Sequence, residues 1–393
     1  MAARIVSADE ALDVARECSA KFAVEASTRD LQRRLPVEEL EHLSSTGLLG
    51  ITVPRDYGGA DVSIAVLAEV FRLLAIGDPN VAQIPQSHFA YVNVLRHQGT
   101  DRQKQMLFSE VLEGKRFGNA QSELNTKTVR EIRTALVKVD DETYTLTGVK
   151  HYSTGALFAH WIPVLALGED GKNYVAYVRA DSRGVTVVDD WDGMGQRTTA
   201  SGAVHLENVL VPSELIVPHH LTFNGPQLYG AVAQILHAAI DVGIARAALS
   251  DAGAFVRERS RPWWESGADA ACEDTLTIQQ FGELEIEVRS AEALLGVASD
   301  SIDDAGRNLT DASAAAASIA TATAKTIGAR ASLDVSSALF ELSGTRSALQ
   351  SDNLNRHWRN ARTHTLHDPV RWKVQHIGRY ALNGTYPARH GQL

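Results

Sequence analysis

The sequence predicts an α+β protein in which a helical domain and a domain of long helices bracket a central β domain. Three observations carry that expectation. Helical periods broken by short turns run to about residue 115, β-branched runs with strand periodicity fill about 117 to 217, and helical periods return from 226 in blocks of about 30 residues. The corresponding divisions are 1–116, 117–225 and 226–393. A chain of 393 residues is too long for one small core, so several layers sharing one body are expected.

Taken in order, Ser7 stands three residues before Glu10, a capping-box spacing that opens a helix through roughly Phe22. Pro36 begins another, with Leu40 and Leu43 on one face and Gly47 as its stop. DVSIAVLAEVFRLLAIG is apolar almost all round, the mark of a buried helix. One helix is expected from Asn80 to Gly99 and an amphipathic one from Asp101. VREIRTALVKV, YTLTGVKHYS, WIPVLALG, YVAYVRA, GVTVV and GAVHLENVLV follow, separated by turn signals such as VDDE, GEDGKN and ADSRG. Short strands joined by hairpin-length loops predict a compact antiparallel barrel or sandwich. Three long helical blocks close the chain, the last stopping at Gly344, and predict a long four-helix bundle that favours oligomerisation.

Composition narrows the function. With 38 Lys+Arg against 48 Asp+Glu, the net charge of −10 lacks the basic footprint of a nucleic-acid binder. No run of 18 apolar residues predicts a membrane span, and no apolar signal core opens the chain, so a cytoplasmic enzyme is expected. Cys18 and Cys272 can build neither a disulfide framework nor a four-thiolate zinc site, and no role is assigned to them. P-loop, GxGxxG, HExxH and CxxC motifs are absent, so redox chemistry would have to come from a bound organic cofactor rather than a metal.

The densest polar cluster is RNARTHTLHDPVRWKVQH, residues 359–376, with Arg359, Arg362, His364, His367, Asp368, Arg371, Lys373 and His376. Helical spacing would bring His364 beside His367 and Asp368, while Pro369 predicts a turn between two helices. A His–Asp pair at such a break suits acid–base work; the competing readings are a solvated helix end and a His₂Asp metal site. In the β zone, Asn119, Gln121, Ser122, Ser153 and Thr154 fall at strand ends beside Tyr152, Phe158 and Trp161. They can hydrogen-bond and pack against a flat heteroaromatic ring, or simply rim a β core. Arg257, Arg259 and Arg261 in VRERSRPWW suit a phosphate, or a helix C-terminus. His88 and Tyr91, on a mostly apolar helix, read as core residues.

Together these segments resemble the acyl-CoA dehydrogenase superfamily. VPRDYGGADV resembles its early VP…YGG turn, GVKHYSTGALFAHW its flavin-facing strand, and MGQRTTASGAVHLENVLVP the segment closing its β domain. GIARAALSDAGAFVRERS resembles its first long helix, and RNARTHTLHDP its RDAR…YEG segment. The glutamate base of family dehydrogenases is replaced by Asp368, and the family's alternative base position falls at about Ile240, one residue from Asp241. ERSRPW replaces ERxxFG and keeps Arg259, which fits FMN more easily than FAD.

RSRPW, MGQRTTASG and RNARTHTLHDP most resemble the two-component, FMNH2-dependent monooxygenases of this fold, the dibenzothiophene and sulfone monooxygenase group. That resemblance implies FMNH2 from a separate NAD(P)H:flavin reductase, a C4a-(hydro)peroxyflavin formed with O2, and oxygenation of sulfur or nitrogen in a small apolar molecule. It implies catalytic roles for His88, Thr154, His364, His367 and Asp368. Flavin contacts would come from Tyr91, Asn119, Gln121, Ser122, Leu124, Lys150, Tyr152, Ser153, Thr154 and His367. Arg259, Thr345 and Arg346 would hold the phosphate, partly across a subunit interface, in a homotetramer. Trp161, Trp191, Trp263, Trp264 and Phe158 would offer apolar surface to the substrate. The alternatives are an FAD-dependent acyl-CoA dehydrogenase or oxidase with Asp368 as base, and a non-catalytic scaffold.

Overall fold

The computed structural model describes residues 2–393. Helix α1 (Ala8–Ala23) opens at Ser7, whose hydroxyl accepts from Glu10 N at 3.2 Å, as the spacing predicts. A short helix the sequence did not announce, α2 (Ala26–Gln32), precedes α3 (Val37–Ser45), which Gly47 ends at φ +83°. Ser63 caps the buried α4 (Ile64–Gly77).

The single helix expected from Asn80 to Gly99 is two, α5 (Pro79–Gln83) and α6 (Gln86–Gln98). Pro85 has no N–H to offer the ladder and breaks it, while Asp78 caps α5 by accepting from Asn80 N at 2.9 Å. Thr100 and Gln103 form a reciprocal capping box at the start of α7 (Asp101–Leu112).

The β runs become β1 (Ala135–Lys138), β2 (Thr143–Lys150), β3 (Trp161–Gly168), β4 (Asn173–Arg179), β5 (Val185–Val188) and β6 (Ala203–Pro212), with a short β7 (Ile216–Val217) beyond the predicted set. They form one seven-stranded sheet in the order β5-β6-β2-β1-β3-β4-β7. Five of the six strand pairs are antiparallel as expected; the purely antiparallel pattern is corrected at one place, where β1 and β3 run parallel. The cause is the link from β2 to β3: residues 151–160 cross past β1 instead of turning back as a hairpin, so β3 lands on the far side of β1 in the same direction. That crossing segment carries Tyr152, Ser153 and Thr154. Along β3, Trp161 and Leu165 face α6 and α7, while Ile162, Val164 and Ala166 face the opposite core, which explains why WIPVLALG is apolar throughout.

The C-terminal domain holds α8 (Tyr229–Glu258), α9 (Thr275–Arg307), α10 (Asp311–Ser343), α11 (Asn355–His364) and α12 (Val370–Asn383). Three helices are long; the fourth side of the expected bundle is the pair α11 and α12, parted at Pro369 as predicted. Helix α8 is long and apolar enough to cross a membrane by composition, but 94% of that stretch is buried inside the protein. It packs on α4, α9 and α10 at once.

Buried ion pairs brace the N-terminal helices, and one of them, Asp30–Arg359, ties that domain to the C-terminal one. Arg29 meets Asp78 at 3.0 Å and Glu39 at 2.8 Å, and Asp30 meets Arg359 at 2.5 Å. Beside them Gly195 lies so close to α11 that a Cβ there would sit 1.8 Å from the Arg359 carbonyl oxygen. Gly195→Ala is therefore expected to push α11 away and cost about 1–3 kcal/mol by overpacking. A lowered denaturation midpoint with an unchanged denaturant slope is the measurement that checks it.

Candidate active site

Within the apolar α8, Gln234, His237 and Asp241 recur at helical spacing and share one face. Because α8 runs through the centre, all three are buried, at 2%, 1% and 0% exposure. Helix α11 ends against them. His364 Nδ1–H donates to Asp241 Oδ1 at 2.5 Å, and His364 Nε2 lies 3.1 Å from both His237 Nδ1 and Gln83 Oε1 of α5. In the turn after α11, the His367 ring lies over His237 with centroids 4.0 Å apart, and its side chain remains 44% exposed. Burial first, then the charges of His367 and Lys325, push His237 well below its ordinary value and keep it neutral.

Asp368 follows His367 but points into a different environment. Its two oxygens pair with Lys325 Nζ of α10 at 2.9 Å and Lys373 Nζ of α12 at 2.6 Å, all three side chains being almost wholly buried. Burial alone would raise the carboxyl; Lys325, His367 and Lys373 outweigh it and hold Asp368 far below the usual carboxylate range. Lys373 is itself brought down to about 8 by burial and by Lys325, against the pull of Asp368. The expected role of Asp368 as a base is thereby corrected: an ionised carboxylate clamped between two ammonium groups has little affinity for a proton.

The β-side wall is built on the crossing segment. Tyr152 adopts φ +55° and is exposed. Ser153 N donates to Gly202 O at 3.0 Å, which seats the segment on the start of β6. Thr154 Oγ1 and Ser201 Oγ share a hydrogen bond of 2.7 Å, Ser201 and Thr199 another of 2.7 Å, and Thr199 Oγ1 donates to Gln196 O. Gln196 N then donates to Asn360 Oδ1 of α11 at 2.7 Å, and Thr198 N to Asn80 Oδ1 of α5 at 3.3 Å. The loop bearing Thr154's partner is thus bonded to the two helices that hold His364. Asn119 bridges Tyr91 OH and Tyr152 O at 3.4 and 3.3 Å.

Several polar atoms around this junction are buried without a partner: Ser153 Oγ, both amide atoms of Gln196, Thr198 Oγ1, Gln234 Oε1 and Asp241 Oδ2. Buried polar atoms are nearly always satisfied, which sets these six apart from their surroundings.

Other predicted residues lie elsewhere. His88 is buried, with Nε2–H donating to Leu49 O at 2.9 Å and Nδ1 accepting from Phe117 N at 3.0 Å, so neither ring nitrogen is free for catalysis. Tyr91 is buried beside Tyr177 and donates its hydroxyl to Asn119 Oδ1. Lys150 is fully buried and spends its Nζ on Glu123 at 2.6 Å and Gln121 O at 3.2 Å. Gln121 and Leu124 are exposed, and Ser122 contributes a carbonyl to His151 N.

Arg259 is engaged by both oxygens of Asp352 at 2.6 and 2.9 Å, with exposed Thr345 and Arg346 beside it. At a rise of about 1.5 Å per residue, Arg259 stands about 27 Å along α8 from Asp241. Trp161 is buried, its indole N–H given to Glu110, and Trp263 and Trp264 project from the exposed loop after α8. Sequence reasoning missed His237, Gln83, Lys325 and Ser201. Of these only His237 left a readable signal, a polar stripe with Gln234 and Asp241 on an otherwise apolar helix.

Three family models describing the acyl-CoA dehydrogenase N-terminal, middle and C-terminal domains match residues 8–115, 122–209 and 235–372. The chain is 33% identical over 392 residues to a dibenzothiophene monooxygenase of Mycolicibacterium goodii, covering 96% of this chain and 94% of that one. It is 32% identical over 386 residues to a probable FMNH2-dependent monooxygenase, SfnC, of Pseudomonas putida, covering 96% of each. The crystal structure of FMN-bound TdsC from Paenibacillus sp. A11-2 superposes with a TM-score of 0.93 at 28% identity, over 98% of this chain and 100% of that one.

His88 and His219, both buried and each brought down to about 4, give a test of their structural role. Between that value and about 6.5, the unfolded chain binds protons these imidazoles refuse, so folding stability falls as pH drops through that window. Each contributes at most about 3 kcal/mol of that fall. Urea denaturation across the window should show it, and His88→Gln, which keeps a donor and an acceptor, should flatten its share.

Proposed function

The chain belongs to the acyl-CoA dehydrogenase family, and from that premise we propose that it is a reduced-flavin-dependent monooxygenase. Its substrate is a small organic molecule oxygenated at sulfur or nitrogen, and its FMNH2 comes from a separate reductase sharing its compartment, the cytoplasm. One observation carries the choice within the family. The carboxylate at the dehydrogenase base position is clamped between Lys325 and Lys373. The alternative base position is the fully buried Ile240, and neighbouring Asp241 is committed to His364. Neither base position therefore offers a carboxylate to remove a proton α to a thioester.

The unpartnered Ser153, Gln196 and Thr198 atoms fit the polar edge of a flavin ring, and exposed Tyr152 lies beside them. Asn119, Tyr152, Ser153 and Thr154 would hold the ring. Arg259, Thr345 and Arg346 would hold the phosphate of an FMN seated in a neighbouring protomer, which makes the active form an oligomer. When bound, reduced FMN supplies the two electrons that activate O2 by the route the resemblance implies, one oxygen atom entering the substrate and the other leaving as water. The chain's share is position and dryness. Ser201 and Thr199 fix the Thr154 hydroxyl, the buried histidines keep solvent from the inner wall, and His367 stands at the exposed mouth.

The test is anaerobic FMNH2 with the protein, mixed with isotopically labelled O2 and dibenzothiophene or an alkyl aryl sulfide. One labelled oxygen in the product is expected, and Thr154→Ala should lower its yield about 100-fold. Flavin bleaching by an acyl-CoA, with no oxygen transfer, would overturn the reading.

A further inference from the structure

Asp241, His364 and His237 stand in a line, and their contacts fix most of its protons. The 2.5 Å bond to Asp241 places a proton on His364 Nδ1. His364 Nε2 then faces His237 Nδ1 and Gln83 Oε1, each at 3.1 Å. If Nε2 is bare, it accepts from His237 Nδ1–H. If it is protonated, it donates to Gln83 Oε1, and the imidazolium so formed faces the Asp241 carboxylate. Either arrangement satisfies the line, and one proton separates them. His237 Nε2 has no hydrogen-bond partner among the described residues. The ring lies directly beneath half-exposed His367.

Resting on the monooxygenase reading above, we propose that this line is a proton relay serving the oxygen chemistry, with Asp241 as its positioning residue and His237 as the group that exchanges the proton with the site. Uptake forms a bond from the proton to His237 Nε2, and His237 Nδ1–H passes its proton to His364 Nε2. The positive charge comes to rest on His364 opposite Asp241, and no electrons are transferred. Run backwards, the same two steps deliver the proton to the site.

The surroundings favour that direction of storage. His237 faces His364 from α11, His367 and Asp368 from the following turn, Lys325 from α10 with Lys373 of α12 behind Asp368, and Asp241 on its own helix. From α5 it meets only the neutral Gln83–His364 contact. Lys325 and the neighbouring imidazoles repel charge at His237, whereas His364 has a carboxylate against its Nδ1. Two other groups are excluded as the store: Asp368 is held as an anion by ion pairs to two lysines, and His88 has both nitrogens engaged.

Histidine-labelled, flavin-free protein tests the relay through ring-nitrogen NMR across the neutral pH range. The expected spectrum has His364 protonated at Nδ1 throughout, with a far-downfield proton that Asp241→Asn abolishes, and His237 uncharged. His364 lacking the Nδ1 proton, or His237 titrating like a free imidazole, overturns the proposal without any variant needing to fold.

In turnover, Asp241→Asn and His237→Gln should each lower kcat about 100-fold with KM and FMN affinity unchanged, and should alter the pH profile. The downfield proton should survive in His237→Gln. A loss confined to FMN affinity or thermal stability overturns the relay. The expected tautomers in a protein that transfers no oxygen would support the relay geometry and overturn the monooxygenase reading alone.

Discussion

The architecture depends on buried charge being paired. Arg29 and Asp30 are adjacent residues on α2, each 1% exposed, and they hold opposite partners. Arg29 takes Asp78, the cap of α5, and Asp30 takes Arg359 of α11. Removing one member would strand a charge in the interior at a cost of about 3–5 kcal/mol, whereas the intact pairs add little stability over an apolar core. Their contribution is register. Gln83 comes from α5 and His364 from α11, so the two ion pairs set the distance at which those side chains meet.

The same reasoning explains the division of labour among the acids of the site. Asp368 and Asp241 lie near one cluster and are both buried, but they differ in company. Asp368 has two lysines and is fixed as an anion; Asp241 has one imidazole and an unpartnered oxygen. A carboxylate with excess positive charge around it is an electrostatic strut. One that faces a single histidine can orient that ring and stabilise its charged form. The residue in the dehydrogenase base position is the strut, and in the proposed relay proton handling passes to the histidines of α8 and α11.

Much of the fold was legible because local signals agree with it. Ser7 caps its helix, Gly47 ends another, Pro369 parts α11 from α12, and the six β-branched runs are all strands. The misreadings share a cause: periodicity reports which face of an element is apolar, not what lies opposite. Nothing in residues 151–160 reveals that they cross a neighbouring strand. Nothing in RNARTHTLHDP reveals that Lys325, about 40 residues upstream, supplies the counter-charge to Asp368. Pro85 could have been read, since a proline inside a helical pattern is a break. His88 was legible as core from its apolar helix, and the resemblance drew it into the site.

The distance between the two flavin-facing clusters makes assembly part of the proposed active site. Thr154 and His364 belong to the junction of the sheet with α8 and α11, while Arg259 lies at the far end of α8 beside Asp352 and Arg346. On the proposed reading the ring would sit at the first cluster and the phosphate at the second, supplied by different protomers. The exposed residues of α9 agree with such an arrangement. Leu276, Ile286 and Val297 are 74%, 67% and 63% exposed, at intervals near three helical turns, and so lie along one side of the helix. An apolar line of that length on an exposed face suits a partner, and in the proposed assembly a second copy of the bundle would bring its arginine to the first copy's flavin.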